Sequence, residues 1–171
     1  FGGILPEADS LLPDFDRLGT GDLAQIGIGQ GSLLVTPLRM AMLASCFANQ
    51  GVIMKPYIVK RVLSPEGAVI KEFNSEKWLS PAKGDSAQLL SSMMVRVVNE
   101  GTGTGAYIPG VSIAGKTGTA ENPHGEPHAW FIGFAPADDP QIALAVIVEN
   151  GGAGGSVAAP IARELFIKAL Y

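Results

Sequence analysis

Lys116, Thr117, Gly118 and Thr119 stand in a row within Ala114-Gly115-Lys116-Thr117-Gly118-Thr119-Ala120-Glu121. A cation, two hydroxyls and a residue without a side chain can do two different kinds of chemistry at that spacing. If the stretch is a strand, alternate side chains point to opposite faces. Thr117 and Thr119 then share one face, where two hydroxyls could hold a ligand carboxylate, and Lys116 points to the other. Gly118 lies between them, and the missing side chain lets an extended peptide approach and pair with the strand backbone. Together they make a clamp for a peptide ending in a carboxylate. The second chemistry is nucleotide binding, because Gly110-Val111-Ser112-Ile113-Ala114-Gly115-Lys116-Thr117 satisfies the phosphate-loop pattern G-x-x-x-x-G-K-[ST] at every required position.

The flanking residues separate the two. A phosphate loop follows a buried strand and opens a helix whose N-terminus holds the phosphates. Before Gly110 the chain offers Gly-Thr repeats, Tyr107 and Pro109 rather than an apolar strand, and after Thr117 come Gly118, Asn122, Pro123 and Gly125, which a helix does not tolerate. Ala145-Val146-Ile147-Val148-Glu149 imitates a strand ending in a magnesium-binding acid, yet it reads equally as an interior strand with a polar end. Nucleotide binding therefore stays only as a rival reading. His124 and His128 have the i,i+4 spacing of a zinc pair, but Gly125 and Pro127 break the helix such a pair needs, so no metal is expected, and no cofactor.

Several elements must position this strand. Phe1 to Gly31, rich in Gly, Pro and Asp, reads as loops with a helical turn near Leu23, and Gly27, Gly29 and Gly31 as a loop. Thr36-Pro37 opens an apolar helix that stops at Gly51. Tyr57 to Leu63 and Ala68 to Phe73 flank the turn Ser64-Pro65-Glu66-Gly67, as in a β-hairpin. Asp85 to Asn99 has apolar residues at helical spacing, with Ser80-Pro81 as a cap that opens it. Val111 to Ala120, Ala129 to Ala135 and Gln141 to Glu149 are strand-like, and their short linkers favour antiparallel pairing. Ser156 is placed to cap a final helix with Ile161, Leu165, Phe166 and Leu170 on its apolar side. The fold class is α+β, with an antiparallel sheet of three main strands packed with helices.

Composition narrows the function classes. Hydrophobic residues make up 47% of the 171 residues and charged ones 16%, as in a densely folded domain. A net charge of -4 gives no basic footprint for nucleic acid. The one cysteine, Cys46, sits in an apolar run and reads as a buried, inert thiol. The most apolar run, Ile142 to Val148, is far shorter than the roughly 20 residues a bilayer span needs. The chain begins at Phe1-Gly2-Gly3 rather than Met, as a piece of something longer would.

Lys116-Thr117-Gly118 is also one of three motifs that build a serine acyl-transfer site. With Thr119-Ala120-Glu121 and the following His128-Ala129-Trp130-Phe131-Ile132-Gly133-Phe134-Ala135-Pro136, it resembles the corresponding pair of strands in class B penicillin-binding proteins. Gly29-Gln30-Gly31, Thr36-Pro37-Leu38-Arg39-Met40-Ala41 and Asn99-Glu100-Gly101-Thr102-Gly103 resemble further segments of that family, so the resemblance covers essentially the whole chain. It implies a serine β-lactamase/transpeptidase-like fold, with residues 1–171 as the C-terminal portion of one transpeptidase domain. It also implies a bacterial D,D-transpeptidase that cross-links peptidoglycan stem peptides ending in D-Ala-D-Ala and is acylated by β-lactams. By the same resemblance Lys116 polarises the site, Thr117 and Thr119 bind the terminal carboxylate, and the backbone N–H of Thr119 supplies half of the oxyanion hole. Trp130 reads as packing.

Two of the family's motifs are missing. No S-x-N occurs, and the one S-x-x-K match, Ser80-Pro81-Ala82-Lys83, follows segments that should come after the nucleophile. The expectation is a substrate clamp without a nucleophile, inactive alone, in need of the N-terminal part of the same domain. The resemblance further implies a parent at the extracytoplasmic face of the bacterial membrane, anchored by an N-terminal segment. It also implies that the strand matching Ile142 to Val148 lacks a neighbour, an open edge that invites a strand-paired dimer. The alternatives are a β-lactamase or β-lactam sensor of the same fold, and a non-catalytic binding module.

Overall fold

Residues 8–171 are described in a computed structural model; Phe1-Gly2-Gly3 lies outside them. The clearest local code is at Thr36, whose hydroxyl accepts from the Arg39 N–H at 3.3 Å while Pro37 fills the first helical position. Both are what a helix start demands, because its first N–H groups have no partner within the helix. Helix α2 runs Pro37–Ala48 and ends where Gln50 and Gly51 take positive φ. Gly51 is confined there by contact as well as by φ, since a Cβ would run into the backbone of Ala82.

Before α2 lies a short helix, α1, Thr20–Gly27. It is longer than the single turn expected near Leu23. Strand β1, Ile53–Met54, follows α2 and pairs antiparallel with β4, Lys77–Leu79; between them β2, Arg61–Leu63, and β3, Val69–Glu72, form the expected hairpin. Its turn is closed by the Gly67 N–H on the Ser64 carbonyl at 3.0 Å, and Arg61 meets Glu72 across the strands at 2.8 Å.

Helix α3, Gly84–Glu100, has Lys83 at its N-cap. Ser80 is therefore not the cap expected for it: β4 holds the chain in a ladder up to Leu79, and the helix cannot begin until that ladder is left behind. After a 3-10 turn at Thr104–Ala106 comes the main sheet, with β5, Ala114–Ala120, β6, His128–Ala135, and β7, Ile142–Val148, in the order β5-β6-β7 and antiparallel throughout. The first strand is shorter than its apolar pattern because Val111 is taken by a bridge to Ile108 around Pro109-Gly110. Helix α4 covers Ala158–Leu170; Val157, not Ser156, occupies its N-cap, and the Ser156 hydroxyl donates to the Ala153 carbonyl instead.

Register fixes which residues share a face. Thr117 stands opposite Phe131, and Lys116, Gly118 stand opposite Ile132 and Trp130. Phe131 is fully buried on the face packed against Ala158, Ala159, Ala162 and Phe166 of α4. Phe134 is buried on the other face, with Met94 of α3 and with Phe47 and Ala48 of α2 around it. The central strand β6 is thus covered on both sides, and burying each of those rings is worth about 1.5–3 kcal/mol.

Candidate substrate-binding site

The site begins at the end of α1. There the Gly29 N–H donates to the Ile26 carbonyl and the Gln30 N–H to the Gln25 carbonyl, both at 2.9 Å. This is the Schellman closure, in which a left-handed residue just past the helix lets two orphan carbonyls be satisfied. Gly29 supplies that conformation at φ +77, and Gly31 repeats it at φ +79. The two reversals isolate Gln30 and send its side chain across to β5. Its Nε2 donates to the Thr119 carbonyl at 2.9 Å, and its Oε1 accepts from the Glu121 N–H at 3.1 Å.

Those contacts orient β5. The N–H and C=O of one residue in an antiparallel strand point to the same side. Since the Thr119 carbonyl meets Gln30 rather than β6, the Thr119 N–H also faces the outer edge, and among the described residues no strand covers that edge.

Side chains follow the alternation expected from the sequence. Thr117 is buried, and its hydroxyl lies 2.7 Å from that of Thr102, in the loop after α3. The Thr119 hydroxyl accepts from the Gly154 N–H at 3.4 Å. Both threonines therefore sit on the α4 side of the sheet, each already partnered. Lys116 is exposed on the opposite side, and its Nζ donates to the Thr117 carbonyl. Gly118 stands beside Trp130, whose Cβ would lie 3.1 Å from a Cβ added there.

Lys116, Gly118, Trp130 and Ile132 form one wall of a cleft of about 620 Å³; Gln30, Leu34 and Met40 form the wall facing them. Trp130, expected as packing, is half-buried and lines this cleft. The arrangement offers a cation, an outward backbone donor and an open strand edge beside an apolar wall. It can hold an extended, anionic chain.

Thr117 lies in mid-strand, and the chain passes from Ala120 through a loop to β6. The helix that a phosphate loop requires after Thr117 is absent, which removes the nucleotide reading. Ser80 is exposed, beyond the end of β4, and lines no part of the cleft. His128 does not pair with His124: its Nδ1 accepts from the Asn150 N–H at 3.0 Å. Cys46 is fully buried away from the cleft, and burial pushes its thiol up. Sequence reasoning missed Gln30, Thr102 and Gly154 as site residues. The glycines around residue 30 were visible, but no periodicity says which distant strand its side chain will reach.

A family model described as the penicillin binding protein transpeptidase domain matches residues 3–166. Among curated relatives, the peptidoglycan D,D-transpeptidase PbpA of Mycolicibacterium smegmatis is 42% identical over 163 residues, covering 87% of this chain and 33% of the relative. The protein of the same name from Mycobacterium tuberculosis is 40% identical over 171 residues, covering 93% of this chain and 33% of its own length. The chain thus spans about a third of the length of these relatives. Among solved structures, the imipenem acyl-enzyme complex of M. tuberculosis penicillin-binding protein A superposes with a TM-score of 0.87 at 39% identity, over 96% of this chain and 37% of that one.

Proposed function

This chain belongs to the penicillin-binding protein transpeptidase family, and from that membership we propose that it is the C-terminal portion of a D,D-transpeptidase domain that binds stem peptides and β-lactams. The observation that carries the reading is the outward-facing backbone of Thr119 on the open edge of β5, with Lys116 and Thr117 beside it. In this reading the peptide's terminal carboxylate is held by the hydroxyls of Thr117 and Thr119, and Gly118 leaves room for its backbone. The Thr119 N–H supplies half of the oxyanion hole, a kind of donor whose removal costs on the order of a hundredfold in rate or more. Lys116 adds positive potential.

The reaction forms an ester between a serine hydroxyl and the penultimate residue's carbonyl, releases the terminal D-alanine, and passes the acyl group to an acceptor amine. That serine, its lysine and the middle S-x-N motif are supplied from outside these 171 residues. The open edge of β7, unpaired on its second side among the described residues, supports pairing with a strand outside the chain, or failing that with a second copy. In this reading the parent works at the extracytoplasmic face of the membrane on an N-terminal anchor; among the described residues no helix is long and apolar enough to cross one.

A fluorescent penicillin tests this. The 171-residue chain stays unlabelled under denaturing electrophoresis, while the full-length protein is labelled and loses labelling at least a hundredfold with Lys116→Ala. Covalent labelling of the short chain overturns the proposal of a missing nucleophile. Rapid catalytic hydrolysis of the penicillin by the full-length protein favours a β-lactamase instead.

A further inference from the structure

We propose that Gln30 is a specificity-determining residue that closes the β5 edge and limits backbone pairing with the donor peptide to its last residues. The inference rests on the transpeptide clamp proposed above and extends it to how much of the peptide the strand reads.

The carboxylate at Thr117 and Thr119 and the reacting carbonyl at the Thr119 N–H fix the direction of the bound peptide. Its C-terminus lies toward Thr117 and its preceding residues toward Glu121, so it runs antiparallel to β5. In antiparallel pairing the residue opposite Thr119 exchanges both bonds with it, donating its N–H to the Thr119 carbonyl. That carbonyl has two lone pairs, and Gln30 Nε2 uses one of them at 2.9 Å. The reacting residue can still bind.

The next bonded pair cannot form. It would join Glu121 to the residue two places earlier in the peptide, and it needs the Glu121 N–H as donor. That single proton is already given to Gln30 Oε1 at 3.1 Å. The Gln30 amide thus occupies the position a further peptide residue would take. Earlier residues of the stem must leave the strand edge and turn toward the cleft wall of Leu34 and Met40. Backbone pairing alone is nearly blind to sequence and prone to slip in register. A plug at a fixed point gives the edge one register, with the reacting carbonyl at Thr119.

The test uses the full-length protein and two probes, N-acetyl-D-alanyl-D-alanine and the same dipeptide extended by three residues at its N-terminus. Each is scored by the concentration that halves the rate of fluorescent penicillin labelling. Gln30→Ala frees the Glu121 N–H, and the ratio of extended to short half-protecting concentrations is expected to fall about fivefold, the worth of one net backbone hydrogen bond. Amide exchange reports the structure alongside: in Gln30→Ala the Glu121 amide speeds up while that of Phe131 stays slow.

An unchanged ratio with a fast Glu121 amide overturns the inference. So does loss of Phe131 protection, which makes Gln30 a folding residue, or failure of both peptides to protect a protein that penicillin labels. Absence of labelling in the unsubstituted protein overturns the functional reading itself.

Discussion

At the scale of single residues, the hydroxyl pair Thr102–Thr117 separates stability from binding. Thr117 is buried and Thr102 is exposed, so the two deletions are not equivalent. Thr102→Val leaves a buried hydroxyl without its partner and is expected to cost about 1–3 kcal/mol in urea unfolding. Thr117→Val leaves Thr102 facing water, costs under about 1 kcal/mol, and instead weakens protection by D-Ala-D-Ala peptides. Equal stability losses from the two would contradict this account. Cys46 gives a second check: a fully buried thiol, pushed up by desolvation, reacts with Ellman's reagent only once the chain unfolds. The faces expected of Lys116, Gly118 and the two threonines followed from strand alternation, a rule that acts within a few residues, and their roles from the family resemblance. Thr102, Gly154 and Gln30 reach the same strand from far along the chain, and nothing in their local sequence encodes that.

At the scale of elements, β6 is the strand with most to lose, since both of its faces are covered by helices. Phe131→Ala removes a ring at zero exposure and is expected to cost about 3–5 kcal/mol. Trp130→Ala, one position away on the cleft side and half-buried, costs clearly less while altering ligand binding; thermal unfolding of both variants decides it. The three strands, the hairpin and the apolar helices were legible because period-2 and period-3.6 patterns survive in them. Helix α1 was legible only as a turn near Leu23, as eight residues with glycine at second and last positions carry little propensity and depend on a closing turn. The β1–β4 ladder was also hidden, since strands of two and three residues are too short for alternation to register. Its presence is also why Lys83, rather than Ser80, starts α3.

At the scale of the whole molecule, the sheet has, among the described residues, two free edges with different management. That of β5 is closed at one point by Gln30, whereas that of β7 carries no such plug among the described residues. Unmanaged edges seek strands, so the isolated 171-residue chain is expected to self-associate in sedimentation velocity, and a dispersed monomer at all concentrations would argue against an exposed β7. The grip of Gln30 on β5 has a consequence in time as well. Its contacts span 89 and 91 residues, and residue 30 is synthesised first. At about 5–20 residues per second on a ribosome, it waits roughly 4–18 s for Thr119 to be made. Through that interval the apolar wall of the cleft has nothing to close upon, so a nascent chain stalled short of β5 should recruit a holdase that the finished chain no longer needs.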